Sequence, residues 1–511
     1  MDDLDLVVAE TDIRDAPAET PVRTGLRLDL VAAALGSDPD AAAALDAFVA
    51  EPDAAKALAA WTGHTGADAA LVKAMIARDI AAIDTLIGDQ LDTILHHEDV
   101  QRVEAAWRGI ELLLETARGD DKVRVRVFNA TWLELVRDFD RAAEFDQSTL
   151  FAKIYSEEYG MPGGVPYGLV LCDYAVRHKQ TGGKGPSTDD VSALAGLSQV
   201  AAAAFSPCII GAAPELFGVG SFADLSYVQR MDGGFRLAEY ARWQKLREQE
   251  DSRFLGVVMP RVLMREPYGI SSARQDGFLY REGGGDLGSW LWGNAVYAVG
   301  ALAVRTFRES GWFGNIKGGR LGDEGNEPVL PMPSFSTGES VAFRRPLEVE
   351  LTDKKQKALE ELGFVALSPA SFARSVVLLG AQSLHAPPPT AETAEKANAR
   401  LSSMLQYVLC VSRFTHYIKV MARDRVGRFT TPVALETMLG DWLRDYTTGN
   451  ADASAEIKAR YPLSNASVEV REIPGRPGVM SCTLQLQPHF QFDQMVTGLK
   501  LRTDLEPAAG R

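Results

Sequence analysis

At 511 residues the chain is longer than one hydrophobic core usually supports, so two or three packed units are expected. A composition of 46% hydrophobic and 24% charged residues excludes wholesale disorder and a fibrous protein. The 53 basic and 69 acidic residues leave a formal charge of −16, which repels a phosphate backbone and argues against nucleic-acid binding.

The chain starts Met1, Asp2, Asp3, Leu4, Asp5, acidic where a secretory leader is basic, and no apolar stretch approaches the roughly 20 residues that span a bilayer. Neither export by that route nor membrane insertion is expected. Asp2, Asp3, Asp5, Glu10, Asp12, Asp15 and Glu19 face a single base, Arg14, before Pro17 and Pro21, which reads as a mobile acidic arm. Alanine and leucine between Leu26 and Trp61 suggest short helices. Residues 1–65 are therefore assigned to an acidic arm with short helices.

Val72, Ile76, Ile80, Ile83, Ile87, Leu91 and Ile94 recur in steps of three and four, an apolar stripe on a helix that another surface must cover. After His96, His97, Glu98 and Asp99 a second stripe runs through Val100, Val103, Trp107, Ile110 and Leu114 to Gly119. Lys122 to Phe128 alternates valine with base, the period of a strand. Thr131 with Glu134 forms a capping box for the next helix. Strand and helix then recur: Tyr167 to Val176 and Phe254 to Met264 are strand-like, Asp189 to Ala204 is helical with Thr188 as cap, and Trp290 to Glu309 is a long helix. The Gly/Pro-rich stretch Gly314 to Pro333 reads as a surface connection. Residues 66–385 are thus a mixed α/β core, closed by the proline run Pro387, Pro388, Pro389.

In residues 390–511, Leu401, Leu405, Val408, Ser412, Thr415 and Ile418 mark one helix and Pro432 opens another. Ser467 to Ile473, a Gly/Pro turn and Val479 to Gln487 make a hairpin with Met480, Cys482, Leu484 and Leu486 on one face, and Leu499 to Leu505 is a third strand. Such a small antiparallel sheet is either self-contained or accepts strands from a partner at its edges.

No constellation carries catalysis, a cofactor or a metal. His96 and His97 are adjacent on a helix, about 100° apart, and cannot converge on one ion. Gly182 to Thr188 lacks the lysine-then-hydroxyl order of a phosphate loop, because Gly185 and Pro186 follow Lys184. Gly283 to Gly288 has the wrong glycine spacing for a dinucleotide site. Cys172, Cys208, Cys410 and Cys482 are far apart, which suggests a reducing cytoplasm. An enzyme is not expected, although a site converging from distant residues is the rival such a reading must beat.

Several segments together resemble the large subunit of the type VI secretion contractile sheath. They are Leu95 to Gly109 with its His-His, Glu and Trp-Arg-Gly pattern, Phe145 to Phe151, Glu157 to Gly164, Pro166 to Gly168, Asp173 with Tyr174, and Leu486 to Gln491. Phe343 to Glu348 departs from the more usual Lys-Pro-Thr-Glu. The resemblance implies a structural subunit of a helical tube that co-assembles with a small sheath subunit and with neighbouring large subunits, surrounds an inner tube of ring protein, stands on a baseplate and contracts. It also implies a C-terminal sheet completed by partner strands, with Val468, Val470, Ile473, Met480, Cys482, Leu484 and Leu486 as the candidate host. Recognition by an AAA+ recycling unfoldase would fall on an N-terminal helix containing Leu28, Leu30, Val31 and Leu35. The alternative is the sheath of a phage-tail-like injection device, which uses one subunit type.

Overall fold

The computed structural model describes residues 4–7, 49–57, 69–161, 163–179, 188–269, 278, 280–282, 288–313, 316–317, 329–335, 345–370, 374–386, 402–425, 431–450, 453–473, 480–489 and 499–505. In chain order the principal elements are β1 (Leu4–Val7), α1 (Ala69–Leu95), α2 (Glu98–Ala117), β2 (Val123–Arg126), α3 (Trp132–Arg141), β3 (Tyr167–Val176), α4 (Asp190–Ala204), β4 (Cys208–Ala212), α5 (Ala241–Glu248), β5 (Leu255–Met259), β6 (Val262–Leu263) and β7 (Trp292–Gly293). They continue with α6 (Ala295–Ser310), β8 (Leu330–Pro331), α7 (Asp353–Glu361), β9 (Phe364–Pro369), β10 (Ser375–Leu378), α8 (Leu405–Arg425), α9 (Pro432–Arg444), α10 (Ala455–Arg460), β11 (Leu463–Glu472), β12 (Met480–Pro488) and β13 (Leu499–Leu505). Two compact units result, one of residues 1–11, 102–265 and 291–511, the other of 12–101 and 266–290.

The larger unit is the mixed α/β body. Its eight-stranded sheet has the order β2-β1-β3-β4-β5-β9-β10-β8, parallel through β9 and antiparallel beyond. A parallel sheet is covered on both faces by helices, so its strands are buried throughout rather than alternately. β4 and β5 are accordingly buried along their whole length. The pleat sorts side chains between the layers: Leu169, Leu171 and Val258 pack with α6, whereas Val170, Cys172, Val257 and Met259 pack with Val191, Leu194 and Leu197 of α4. Gly300 allows the close approach of α6 to β3, since a Cβ there would meet Leu171 Cδ1 at 2.4 Å.

β1 corrects the reading of a mobile acidic arm for residues 4–7, the rest of that arm lying outside the described residues. It lies inside the sheet, parallel to both neighbours, with Leu4 opposite Val123 and Asp5 opposite Tyr167. Backbone pairing is indifferent to side-chain charge, and Leu4, Leu6 and Val7 have the apolar character a strand needs. Leu28, Leu30, Val31 and Leu35 lie outside the described residues, as do the glycine runs at 180–187 and 283–287.

Local signals set most boundaries. Thr131 and Glu134 form the expected capping box of α3. Asp189, not Thr188, caps α4: its carboxylate accepts from Ser192 N at 3.3 Å, while the Thr188 hydroxyl donates to Asp190. α6 begins at Ala295, after its cap Asn294, because Trp292 and Gly293 pair with β6 instead of entering the helix.

In the smaller unit, α1 is tied to the 266–290 segment. Tyr280 Oη donates to Asp92 Oδ1 at 2.5 Å, and His96 Nε2 lies 3.3 Å from Glu282 Oε1, whose other oxygen accepts from Tyr268 N at 2.9 Å. His97 turns the other way and accepts from Asp99 N at 3.2 Å. The two histidines therefore diverge into a hydrogen-bonded helix junction.

Candidate assembly sheet and its anchorage

β12 is the centre of a second, three-stranded antiparallel sheet of order β11-β12-β13. Val468 stands opposite Leu484, Val470 opposite Cys482, and Cys482 opposite Thr503. Val470, Met480, Cys482, Leu484 and Leu486 are buried and Val468 half-buried, all in one core with Phe414 and Ile418 of α8 and Leu435, Leu439 and Leu443 of α9. Ile473 is half-buried just past the end of β11. The residues that strand alternation singles out thus form the inner face of the sheet. β12 is paired on both sides, so additional strands can reach only the backbone edges of β11 and β13.

The outer edge of β11 is already occupied at two places. The first is at its start, where Leu463 N donates to the Tyr446 carbonyl at 3.2 Å and the Leu463 carbonyl accepts from Thr448 N at 2.9 Å. At the second, Val470 N, an N–H the ladder to β12 does not use, donates to Glu436 Oε2 of α9 at 2.9 Å. Glu436 also stands close enough to add its charge to the burial that pushes the Cys482 thiol up to about 12. Burial alone takes Cys410 to about 12, so both thiols are protonated and unreactive at neutral pH. All four cysteines are free and buried.

Beside the sheet, Trp312 stacks on Phe414 with ring centres 4.1 Å apart. Trp312, Tyr446, Trp442 and Tyr417 close a circuit of edge-to-face pairs at 5.1, 5.1, 5.8 and 6.0 Å. These rings, with Lys122 and Arg460, line a cleft of about 530 Å³.

α8 carries the sheet's core and is itself fixed to the body. Leu405 and Leu409 belong to one body core, Val408 to the other, and Cys410 onward to the C-terminal core. Lys419 Nζ sits 5.0, 4.9 and 5.1 Å from the ring centres of Tyr155, Tyr159 and Phe205, a cation–π contact on three sides. One turn on, Arg423 Nη1 donates to the carbonyls of Glu158, Met161 and Gly164 at 3.1, 3.1 and 3.2 Å. The same segment is held from β2, where Arg126 donates to Glu158 Oε1 at 2.7 Å. His416 is fully buried with Nε2 3.2 Å from the Ala204 carbonyl, and burial reinforced by the Arg413 charge depresses it to about 3. Sequence reading missed this anchorage: Lys419 and Arg423, four apart on one helix, were its visible trace.

Among the described residues no group of three or more His, Cys, Asp or Glu side chains is placed to hold a metal ion, and no helix is long and apolar enough to cross a membrane.

Residues 77–385 match the family model described as EvpB/VC_A0108, tail sheath N-terminal domain, and residues 394–505 that of the EvpB/VC_A0108 tail sheath gpW/gp25-like domain. The type VI secretion system sheath protein TssC1 of Pseudomonas aeruginosa is 34% identical over 435 residues, 84% of this chain and 85% of that protein. A sheath tail protein of Desulfitobacterium hafniense aligns over 64% of this chain and 62% of its own, at 10% identity and a TM-score of 0.29.

Proposed function

We propose, from the premise that this chain belongs to the EvpB/VC_A0108 tail-sheath family and is a structural subunit of a type VI secretion contractile sheath, that it builds the sheath wall in the bacterial cytoplasm together with a smaller sheath subunit. Neighbouring copies and the small subunit are joined by strands added at the edges of β11 and β13, so that Val468 to Leu486 are the host sheet's core rather than its contact surface. The single observation that supports this reading is a sheet with one face buried and, among the described residues, no further strand beyond β11 or β13 apart from a single bridge at Leu463. Backbone pairing keeps a lattice connected while rigid subunits rotate, which suits a tube that shortens. An inner tube of ring protein, a baseplate and an AAA+ recycling unfoldase acting on Leu28 to Leu35 complete the set of partners.

The test is co-expression with the product of the neighbouring small-subunit reading frame, followed by negative-stain electron microscopy of the sedimentable fraction. Hollow tubes that require both chains are expected. Tubes from this chain alone would favour the phage-tail-like alternative, and a monomer indifferent to the second chain would refute the assembly reading.

A further inference from the structure

Between β10 and α8 the chain leaves the body and returns to it through a closed neck. The Ala381 carbonyl accepts from Leu405 N at 2.7 Å, Ser383 N donates to the Ser403 carbonyl at 3.0 Å, and Gln382 bridges Met404 between them in the antiparallel sense. Ala381, Ser383, Leu384, Ser403 and Leu405 are all buried. The outgoing arm, residues 381–386, and the returning one, 402–405, thus lie side by side. The two matched family models meet in the stretch between them, one ending at residue 385 and the other starting at 394.

The outgoing arm is held from the body along its length. Leu384 N donates to the Leu255 carbonyl at the start of β5, and Ala386 N to that of Arg247, each at 2.8 Å. His385 Nδ1 lies 3.0 Å from the Gln249 carbonyl. Arg247, buried in the last turn of α5, donates through Nε to the Leu384 carbonyl at 3.1 Å and through Nη2 to the Glu361 carbonyl, at the end of α7, at 3.0 Å. One guanidinium fork therefore ties two helix ends to the arm, a geometry a point donor could not span. On the returning side Leu405 opens α8 and is seated with Leu409 in a core of the body.

A swivel between domains runs exposed, with few contacts crossing it. Here both arms are buried and cross-bonded, and once the ends of a connection are held together its length matters only logarithmically. We propose that the C-terminal domain is a binding partner of the body in its own right, clasped at the neck of residues 381–386 and 402–405, so that the chain can be cut between the arms without parting the two. This joint is independent of what the chain assembles with.

A protease recognition sequence is placed between Pro389 and Thr390 of the full-length chain, and the purified protein is cut. Association of the two pieces is then followed by size-exclusion chromatography at falling concentration, with circular dichroism as the folding control. Both pieces should elute as one particle down to about 1 μM. Separate elution at that concentration would overturn the proposal. Ser383→Pro removes the N–H that the Ser403 carbonyl accepts, and Arg247→Met releases the outgoing arm that presents it. Each should weaken association of the cut protein by roughly tenfold while the uncut variant keeps the native spectrum. A dissociation constant equal in the cut native protein and in both cut variants would take the neck out of the joint, which also overturns the proposal. The cut alters no described residue, so its outcome stands even where a variant does not fold.

Discussion

The eight-stranded and the three-stranded sheet of the larger unit answer the same problem in opposite ways. In the eight-stranded sheet β4, β5 and β3 as far as Cys172 are covered on both faces, and Trp243, Phe222 and Phe364 are among the largest fully buried side chains. In the three-stranded sheet β11 alternates buried and open positions and only the inner face meets α8 and α9. A sheet enclosed on both sides has nothing left to offer a neighbour on its faces. One enclosed on a single side keeps polar backbone edges, the feature on which the proposed strand addition rests.

The largest expected effect tests the enclosed side of this contrast. Trp243→Ala removes a fully buried indole and should lower unfolding free energy by about 3–5 kcal/mol, read by urea titration. A loss under ~1 kcal/mol would mean that the body collapses around the gap. His416 links the two regions through pH. Its folded pKa is depressed below that of a free histidine, so the unfolded chain binds the extra proton between about pH 6.5 and 3. The contribution of this group is fully present above pH 6.5 and falls by up to ~1.4 kcal/mol per pH unit as acid is added. His416→Asn should flatten that slope, and an unchanged slope would assign acid sensitivity elsewhere.

Next in size, Arg423→Ala removes the donor that gathers the carbonyls of Glu158, Met161 and Gly164, and should cost about 2 kcal/mol while raising hydrogen exchange of residues 157–161. Equal exchange in both proteins would show that the clamp does not order that segment. Glu436→Ala is the smallest, at about 1 kcal/mol, because it uncovers one strand-edge amide that water can satisfy. Its useful readout is assembly: with the carboxylate gone, strand addition at β11 should set in at lower protein concentration, seen by light scattering.

Sequence pattern revealed what repeats and concealed what converges. The one-sided β12, with Met480, Cys482, Leu484 and Leu486 inward, was legible because its period of two is visible without a partner. The Thr131 cap and the α1 stripe were legible for the same reason: each is local. β1 was hidden, since a tetrapeptide set among acidic residues owes its strand to Val123 and Tyr167, more than a hundred residues away. Arg423 was hidden too, because its partners are carbonyls, and every residue has one. The direction of the host residues follows from alternation, but that β12 is sealed on both sides follows only from seeing β13 paired to it.

α8, 21 residues and so roughly 30 Å long, is seated in both layers of the body at its start and in the C-terminal core along the rest. Pull on an outer strand and the load passes into this shaft broadside, spread over the three rings around Lys419 and the carbonyls gathered by Arg423. Contacts loaded side by side must fail together, whereas contacts loaded in sequence peel one at a time. Seated this way, α8 joins the C-terminal core to the body through contacts distributed along its length rather than through one point.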